Sequence, residues 1–193
     1  MTNESLQLGD DGLLRCRWAA NDAEYLRYHD EEWGRPLHDE RALFEKLCLE
    51  GFQAGLSWIT ILRRRPAFRA AFSNFDVATV AAFDETDIER LVTDASIIRH
   101  RGKITATIAN ARATLALDAS LTDLIWAHAP TPRPAPLADV TEVPAITPES
   151  TALSKDLRSR GYRFVGPTTM YALMQSSGLV DDHLAGCHRS SFR

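Results

Sequence analysis

Residues 49–62 of this 193-residue chain read LEGFQAGLSWITIL, its most apolar region. The run is long enough for a core helix, yet it contains the carboxylate of Glu50, two helix-weakening glycines and the indole of Trp58. A carboxylate in such a region must find partners, reach solvent or serve a function with a shifted pKa. Gly51 and Gly55 would let the backbone approach a ligand closely, or simply end and bend a helix. An ordinary glutamate at a helix end and a functional carboxylate are both open interpretations.

The sequence around this run predicts an all-α fold. Asp22, Asp39 and Asp84 each stand as an N-cap before a helical apolar pattern, and Thr147 with Pro148 forms an N-cap and first-turn pair. Helical patterns also continue through TTMYALMQSSG and LVDDHLAGC near the C-terminus. No segment alternates convincingly enough to predict a strand, and no internal repeat is visible. We expect helices throughout.

Two stretches interrupt this pattern. Residues 1–12 are polar and predict a flexible tail, and residues from about 130 to 148 form a proline-rich loop or irregular crossing. Residues 13–193 then form a single helical domain, with two lobes that meet at a cleft.

Composition excludes several classes of protein. Hydrophobic residues make up 45% and charged residues 25%, the balance of a globular protein, and the net charge of −4 does not favour a polyanionic partner. No apolar run reaches the roughly 18 residues of a membrane span, and the N-terminus lacks the features of a secretory signal. Three cysteines do not suggest a disulfide scaffold. We expect a cytoplasmic protein with no membrane partner.

Cysteine and histidine occur near both ends of the chain. Cys16 and His29 lie 13 positions apart, and His183 and Cys187 have the i, i+4 spacing that places both side chains on one face of a helix. Two thiolates and two imidazoles would suit a closed, structural zinc site that joins the chain ends. The alternative is that these are ordinary core or surface residues. Cys48, on an apolar stripe, is interpreted as a buried small hydrophobe.

Aromatic residues are concentrated near the N-terminus. Trp18, Tyr25, Tyr28 and Trp33 fall within 16 residues, and the two tyrosines share one helical face. Core packing explains such a stripe without any ligand. A binding pocket is the alternative.

Several longer strings are more specific in combination. They are CRW, YHDEEWG, LEGFQAGLSWITIL, IIRHRGKI, LSKDLRSRGYRFVGPTTMYALMQSSGLVDDH and HLAGC, and they run from residue 16 to residue 187. With them the chain resembles the DNA-3-methyladenine glycosylase I family of the helix-hairpin-helix superfamily. The tail and the proline-rich insert near residues 130–146 lie outside the resemblance.

The resemblance implies a role for each matching residue. It implies one structural Zn²⁺ per chain, with the ligands Cys16, His29, His183 and Cys187. It makes Glu50 the base-recognising and catalytic carboxylate, and it implies a base pocket formed by Trp18, Tyr25, Tyr28 and Trp58. It implies DNA contacts by the Gly55–Leu56 turn, which enters the base stack, and by the phosphate-binding hairpin residues Arg163, Phe164, Val165 and Gly166.

The implied activity is base excision repair. A monomer would flip 3-methyladenine out of double-stranded alkylated DNA and hydrolyse its glycosidic bond, leaving an abasic site without cutting the strand. The resemblance implies no working aspartate, so Asp181 and Asp182 are not assigned as catalytic, and a role for Asp182 in orienting His183 stays open. The main alternative is a non-catalytic, zinc-stabilised nucleic-acid-binding module. A zinc hydrolase and a helical scaffold are further alternatives.

Overall fold

The computed structural model describes residues 4–191, so residues 1–3 of the predicted tail and residues 192–193 of the predicted domain lie outside the described residues. Over this range the predicted, mostly helical fold is confirmed. The helices are α1 (Ala23–Glu31), α2 (Glu40–Gln53), α3 (Trp58–Leu62), α4 (Arg65–Ala71), α5 (Val77–Ala81), α6 (Glu85–Thr93), α7 (Arg101–Leu115), α8 (Leu121–Trp126), α9 (Pro148–Ser159) and α10 (Pro167–Ser176). None of the described helices has the length and apolar character needed to cross a bilayer.

The predicted N-caps are confirmed. The side chain of Asp22 accepts hydrogen bonds from the first turn of α1, and that of Asp39 does the same for α2. Asp84 and Thr147 form capping boxes at the starts of α6 and α9. Each cap satisfies backbone donors that the helix itself leaves free, so these starts are fixed by residues close in sequence.

Helix α2 runs through the centre of the molecule. Its residues 43–52 are all buried, on every face of the helix. Apolar packing surrounds it, as in the contact of the Phe52 and Phe68 rings, whose centroids are 4.6 Å apart. Because no face is left for solvent, the charged side chains Glu45, Lys46 and Glu50 must find their partners inside the protein.

The apolar run 49–62 is divided between two helices. Helix α2 ends at Gln53, and Gly55 adopts a φ of +82°, a left-handed conformation that suits glycine. Gly51, in contrast, does not form a turn. It lies inside α2, where a Cβ would be 3.3 Å from the Cβ of Phe164, so it permits close packing of the segment before α10.

The expectation of no strand is wrong for the N-terminal segment. Strands β1 (Leu6–Leu8) and β2 (Leu14–Cys16) pair antiparallel, with Leu6 opposite Cys16. Strands of three residues are too short for a visible alternation. Strand β1 lies within residues 1–12, and the flexibility of that segment stays a prediction.

The C-terminal helix expected over LVDDHLAGC is absent. After α10 the described residues 177–191 form turns and irregular backbone. Gly178 and Gly186 have φ values of +72° and +91°, which no α-helix accommodates. His183 and Cys187 therefore do not share a helical face, contrary to the prediction from their i, i+4 spacing, although the fold still brings Cys187 to the N-terminal residues.

Candidate active site

A cavity of about 480 Å³ lies among α1, α2, α3 and α10. Its lining includes all five residues that were expected to form a base pocket: Trp18, Tyr25, Tyr28, Glu50 and Trp58. Trp18 comes from a short 3₁₀ turn beside Cys16, and the other four come from three successive helices. The structure therefore gathers these side chains around one space.

Aromatic rings form the walls of this cavity. The rings of Trp18 and Tyr25 meet edge to face at a centroid distance of 5.4 Å, and those of Tyr28 and Trp58 lie 5.5 Å apart. The Tyr25 hydroxyl accepts a hydrogen bond from the Ile59 amide at 3.1 Å, which ties α1 to α3. These contacts order the rings before any ligand binds.

Glu50 is a buried acidic group of the cavity. Its side chain is only 4% exposed, and burial raises the pKa of its carboxyl to about 7, although the Ser176 hydroxyl and the Lys46 charge act in the opposite direction. Burial also raises the pKa of the neighbouring Tyr28 phenol well above its usual value, so that the phenol stays neutral. Glu50 can therefore present an anion among aromatic faces, beside a neutral phenol.

Two features suit this cavity to a flat, polar, positively charged ligand. An aromatic face attracts a cation, most strongly where water is excluded. In addition, the indole Nε1 of Trp58 is buried without a hydrogen-bond partner among residues 4–191. That unmet donor is available to an acceptor atom of a ligand.

Sequence reasoning missed several lining residues. Trp33 was noted in the aromatic cluster but not assigned to the pocket, and its ring packs 5.1 Å from that of Trp18. Gln53 follows Glu50 by three positions on α2, a spacing that places it on the same face and that could have identified it. Gln175 and Ser176 come from the end of α10, and no local signal connects them with Glu50.

Asp182 also lines the cavity, but its oxygens are already used. They accept hydrogen bonds from the Tyr171 hydroxyl at 2.7 Å and the Gln175 amide at 2.8 Å, and they pair with Arg133. The suggestion that Asp182 orients His183 is wrong. Asp181 has that contact, with an oxygen 2.9 Å from His183 Nδ1.

Three of the four expected metal ligands converge next to the cavity. One ligand atom each from Cys16, His29 and Cys187 lie within 4.8 Å of one another, and all three residues are buried. The ring of His183 lies 4.9 Å from that of His29, and its buried Nε2 has no hydrogen-bond partner among the described residues. A buried, unpaired imidazole nitrogen beside two thiols and a second imidazole fits the donor set of a metal ion such as zinc.

The two histidines are oriented in the same way. The Nδ1 of His29 contacts Asp30 at 2.8 Å, as that of His183 contacts Asp181. Carboxylates in this position commonly fix the orientation of metal-binding imidazoles. Each histidine thus keeps Nε2 for the cluster.

The Gly55–Leu56 turn is an exposed apolar tip beside the cavity. Leu56 is 41% exposed, while the flanking residues Gln53 and Trp58 both line the cavity. Lys103 holds the turn, because its Nζ donates to the carbonyls of Phe52 at 2.8 Å and Ala54 at 2.6 Å. A firmly held apolar tip is suited to insertion between stacked bases.

The expected phosphate-binding turn lies between α9 and α10. The amide of Arg163 is not free, since it donates to Asn110 Oδ1 at 2.8 Å. The amides of Phe164, Val165 and Gly166 have no acceptor among residues 4–191. The Val165 side chain is buried, so this residue can meet DNA only through its backbone.

Comparison with known proteins identifies the group to which these features belong. The family profile described as methyladenine glycosylase matches residues 18–190. DNA-3-methyladenine glycosylase 1 of Escherichia coli (strain K12) is 50% identical over 179 residues, covering 91% of this chain and 96% of the relative.

Solved structures agree with this result. A crystal structure of 3-methyladenine DNA glycosylase I superposes with a TM-score of 0.88 at 49% identity, covering 91% of this chain and 99% of that one. A tyrosine-to-phenylalanine variant of such an enzyme, in complex with 3-methyladenine, matches with a TM-score of 0.86 at 35% identity, covering 90% of this chain and 96% of that one.

Proposed function

The chain belongs to the methyladenine glycosylase family, and from this premise we propose that it flips 3-methyladenine out of alkylated double-stranded DNA and hydrolyses its glycosidic bond in the cavity. Its enzyme class is that of a DNA glycosylase, a hydrolase of N-glycosyl bonds. The convergence of the buried Glu50 carboxylate and five aromatic side chains on a single cavity carries the proposal.

Selection of the damaged base follows from charge. The methylated purine is a cation in the nucleotide, whereas adenine is neutral. The ionised carboxylate of Glu50 would accept hydrogen bonds from the edge of the cation, and an indole face would contribute about 0.5 to 2 kcal/mol by cation–π attraction. Adenine would leave the carboxylate without its counter-charge.

The same charge makes the glycosidic bond easy to break. The departing base leaves as a neutral molecule, so no strong general acid is required. The chain's task is to hold the flipped base in a water-poor site while a water molecule attacks the sugar carbon. Asp182 is already bonded to Arg133, Tyr171 and Gln175, and we give it a structural role in place of a catalytic one.

A monofunctional reaction agrees with the positions of the lysines. A Schiff-base mechanism requires an amine at the reacting sugar. The chain has three lysines, and none of them lines the cavity. The amines of Lys46 and Lys103 donate to backbone carbonyls, and Lys155 is exposed on α9. We therefore infer that the product is an abasic site in an uncut strand.

DNA would be held by two elements, the Leu56 tip and the turn between α9 and α10. The Leu56 tip would fill the space that the flipped nucleotide leaves. The hairpin formed by α9, the following turn and α10 would bind a phosphate through the free amides of residues 164–166, which read no sequence. The positive pole of α10 supports an anion there.

We also infer that one zinc ion per chain is bound by Cys16, His29, His183 and Cys187. When bound, it supplies stability by joining the two ends of the chain, and it takes no part in hydrolysis. The buried, unpaired Nε2 of His183 supports its inclusion in the set.

The test of the proposed function is release of bases from methylated DNA. We expect chromatography of the supernatant to show free 3-methyladenine, and the recovered DNA to be cut only after a separate alkaline treatment that cleaves abasic sites. Strand cleavage without alkali would contradict the monofunctional mechanism. Absence of any released base would contradict the proposed function as a whole.

Replacement of Leu56 by alanine should weaken DNA engagement without damaging the pocket. We expect excision from duplex DNA to fall about tenfold, because the tip no longer offsets the unstacking of a base step. Binding of free 3-methyladenine, followed by tryptophan fluorescence, should be unchanged. Leu115→Ala, at an exposed leucine at the end of α7, is the matched control and should retain full excision. If both variants lose excision activity equally, Leu56 is not part of the DNA interface.

A further inference from the structure

Lys46 is a buried cation directly behind the base cavity. It lies on α2 one turn before Glu50, at the i, i+4 spacing that places both side chains on the same face of the helix, and it is 5% exposed. Its Nζ donates to the Ser176 carbonyl at 2.6 Å and lies 5.3 Å from the centroid of the Tyr28 ring. Its neighbours Glu50, Ser176 and Tyr28 all line the cavity, while Lys46 itself does not.

We propose that Lys46 is a positioning residue for base recognition, which holds the end of α10 against α2 and favours the anionic form of the Glu50 carboxylate. This inference rests on the proposed function, because it assigns Lys46 an effect only through the recognition role of Glu50. It also explains why a charged group is present in the fully buried stretch of α2, where an apolar residue would cost less desolvation.

The surrounding charges leave Glu50 as the carboxylate that depends on Lys46. Glu32, after α1, and Glu45, on α2, also face Lys46, but both are bound by Arg65 of α4 at 2.5 Å. Glu45 is paired with Arg69 as well, at 2.9 Å. Glu50 has no guanidinium partner among the described residues.

The remaining groups around the pair do not alter this result. From α1, Tyr28 faces both side chains, and burial keeps its phenol neutral by raising its pKa. From α10, the Ser176 carbonyl accepts from Lys46, and the Ser176 hydroxyl, which donates to the Leu173 carbonyl at 3.2 Å, lowers the pKa of Glu50. Asp182 also lines the cavity and is paired with Arg133. The ammonium of Lys46 is thus the cation that opposes the burial of Glu50.

The two groups titrate close to neutral pH. Burial raises the pKa of Glu50 to about 7 and lowers that of Lys46 to about 8, although neighbouring carboxylates favour the charged lysine. Each charge favours the other, because Lys46 lowers the pKa of Glu50 and Glu50 raises that of Lys46. Loss of the lysine charge would raise the pKa of Glu50 further, and fewer molecules would carry the anion that binds the base.

The pH dependence of excision tests this inference. In Lys46→Gln the amide can still donate to the Ser176 carbonyl, but the charge is gone. We expect the acidic limb of kcat/KM to move upward by about one pH unit, which lowers activity about fivefold at about pH 7 and restores it at higher pH. Lys46→Arg keeps the charge, so the acidic limb of its kcat/KM profile should lie at the same pH as that of the unmodified protein. Lys155→Gln, on the exposed face of α9, should change neither limb nor activity.

Three outcomes would overturn the inference: an unchanged limb in Lys46→Gln, an equal drop in activity at every pH, or the same shift in Lys46→Arg. Lys46→Met serves as a second neutral variant if the glutamine protein fails to fold, and thermal melting identifies that case. If the acidic limb of kcat/KM is unaltered in Lys46→Gln while Glu50→Gln is inactive, the role of Lys46 is rejected and the proposed function is retained. Full activity of Glu50→Gln would instead reject the proposed function.

Discussion

Replacement of Glu50 by glutamine is expected to lower excision of 3-methyladenine by about 100-fold, equivalent to about 2.7 kcal/mol. Glutamine has nearly the same shape, but it cannot supply the negative charge that the cationic base requires. Tryptophan fluorescence should show weaker binding of free 3-methyladenine as well. Base release from methylated DNA at about pH 8, where Glu50 is ionised, measures the effect.

The same substitution should not destabilise the protein. The pKa of Glu50 is raised from 4.5 to about 7 in the folded state, so this group favours folding most below pH 4.5 and loses that contribution as the pH rises through 7. At about pH 8 the ionised carboxylate therefore costs the fold up to roughly 3 kcal/mol, which the neutral amide avoids. We expect an equal or higher Tm for Glu50→Gln at this pH.

A matched control lies on the same helix. Glu40, in the first turn of α2, accepts a hydrogen bond from the Leu121 amide at 3.0 Å, and glutamine can still accept it. Glu40→Gln should therefore keep full activity. If Glu50→Gln excises 3-methyladenine as fast as this control, Glu50 has no role in the site. A non-catalytic nucleic-acid-binding module would then be the better interpretation.

Removal of Cys187 is expected to have the second large effect. Its Sγ lies 3.4 Å from His29 Nε2, and the two residues are 158 positions apart in the chain. A metal that joins them closes a loop of this length in the unfolded chain, so its loss restores conformational entropy to the unfolded state, and an ideal cross-link of this span is worth on the order of 5 kcal/mol. For Cys187→Ala we expect a drop in Tm of about 10 °C, together with loss of the bound metal.

Metal analysis and thermal melting check this prediction together. Cys48→Ala is the control, because Cys48 is also a buried free cysteine but lies in the apolar core away from the cluster. It should retain one zinc per chain and lose only about 1 kcal/mol for the smaller side chain. A metal-free native protein whose melting is insensitive to both substitutions would contradict the structural zinc site. Treatment of the native protein with a chelator should reproduce the effect of Cys187→Ala.

Local interactions explain which parts of the fold could be predicted from the sequence. The starts of α1, α2, α6 and α9 depend on side chains that bond to backbone amides two or three residues further on. The N-terminal hairpin gave no such signal, because its strands are three residues long. The region after α10 was predicted incorrectly, because its apolar spacing resembles a helix while its glycines take left-handed conformations.

The sequence by itself determined the starts of the main helices and, through its resemblance to a family, the candidate residues Glu50, His29 and Cys187. The tertiary structure alone decided that Asp181 contacts His183, that Asp182 is bound by Arg133, and that Lys46 lies behind Glu50 with Ser176. The physical reason is distance along the chain. Capping joins residues that are close in the sequence, so neighbouring residues reveal it. Burial and charge pairing depend instead on which side chains from remote segments are packed together in the fold.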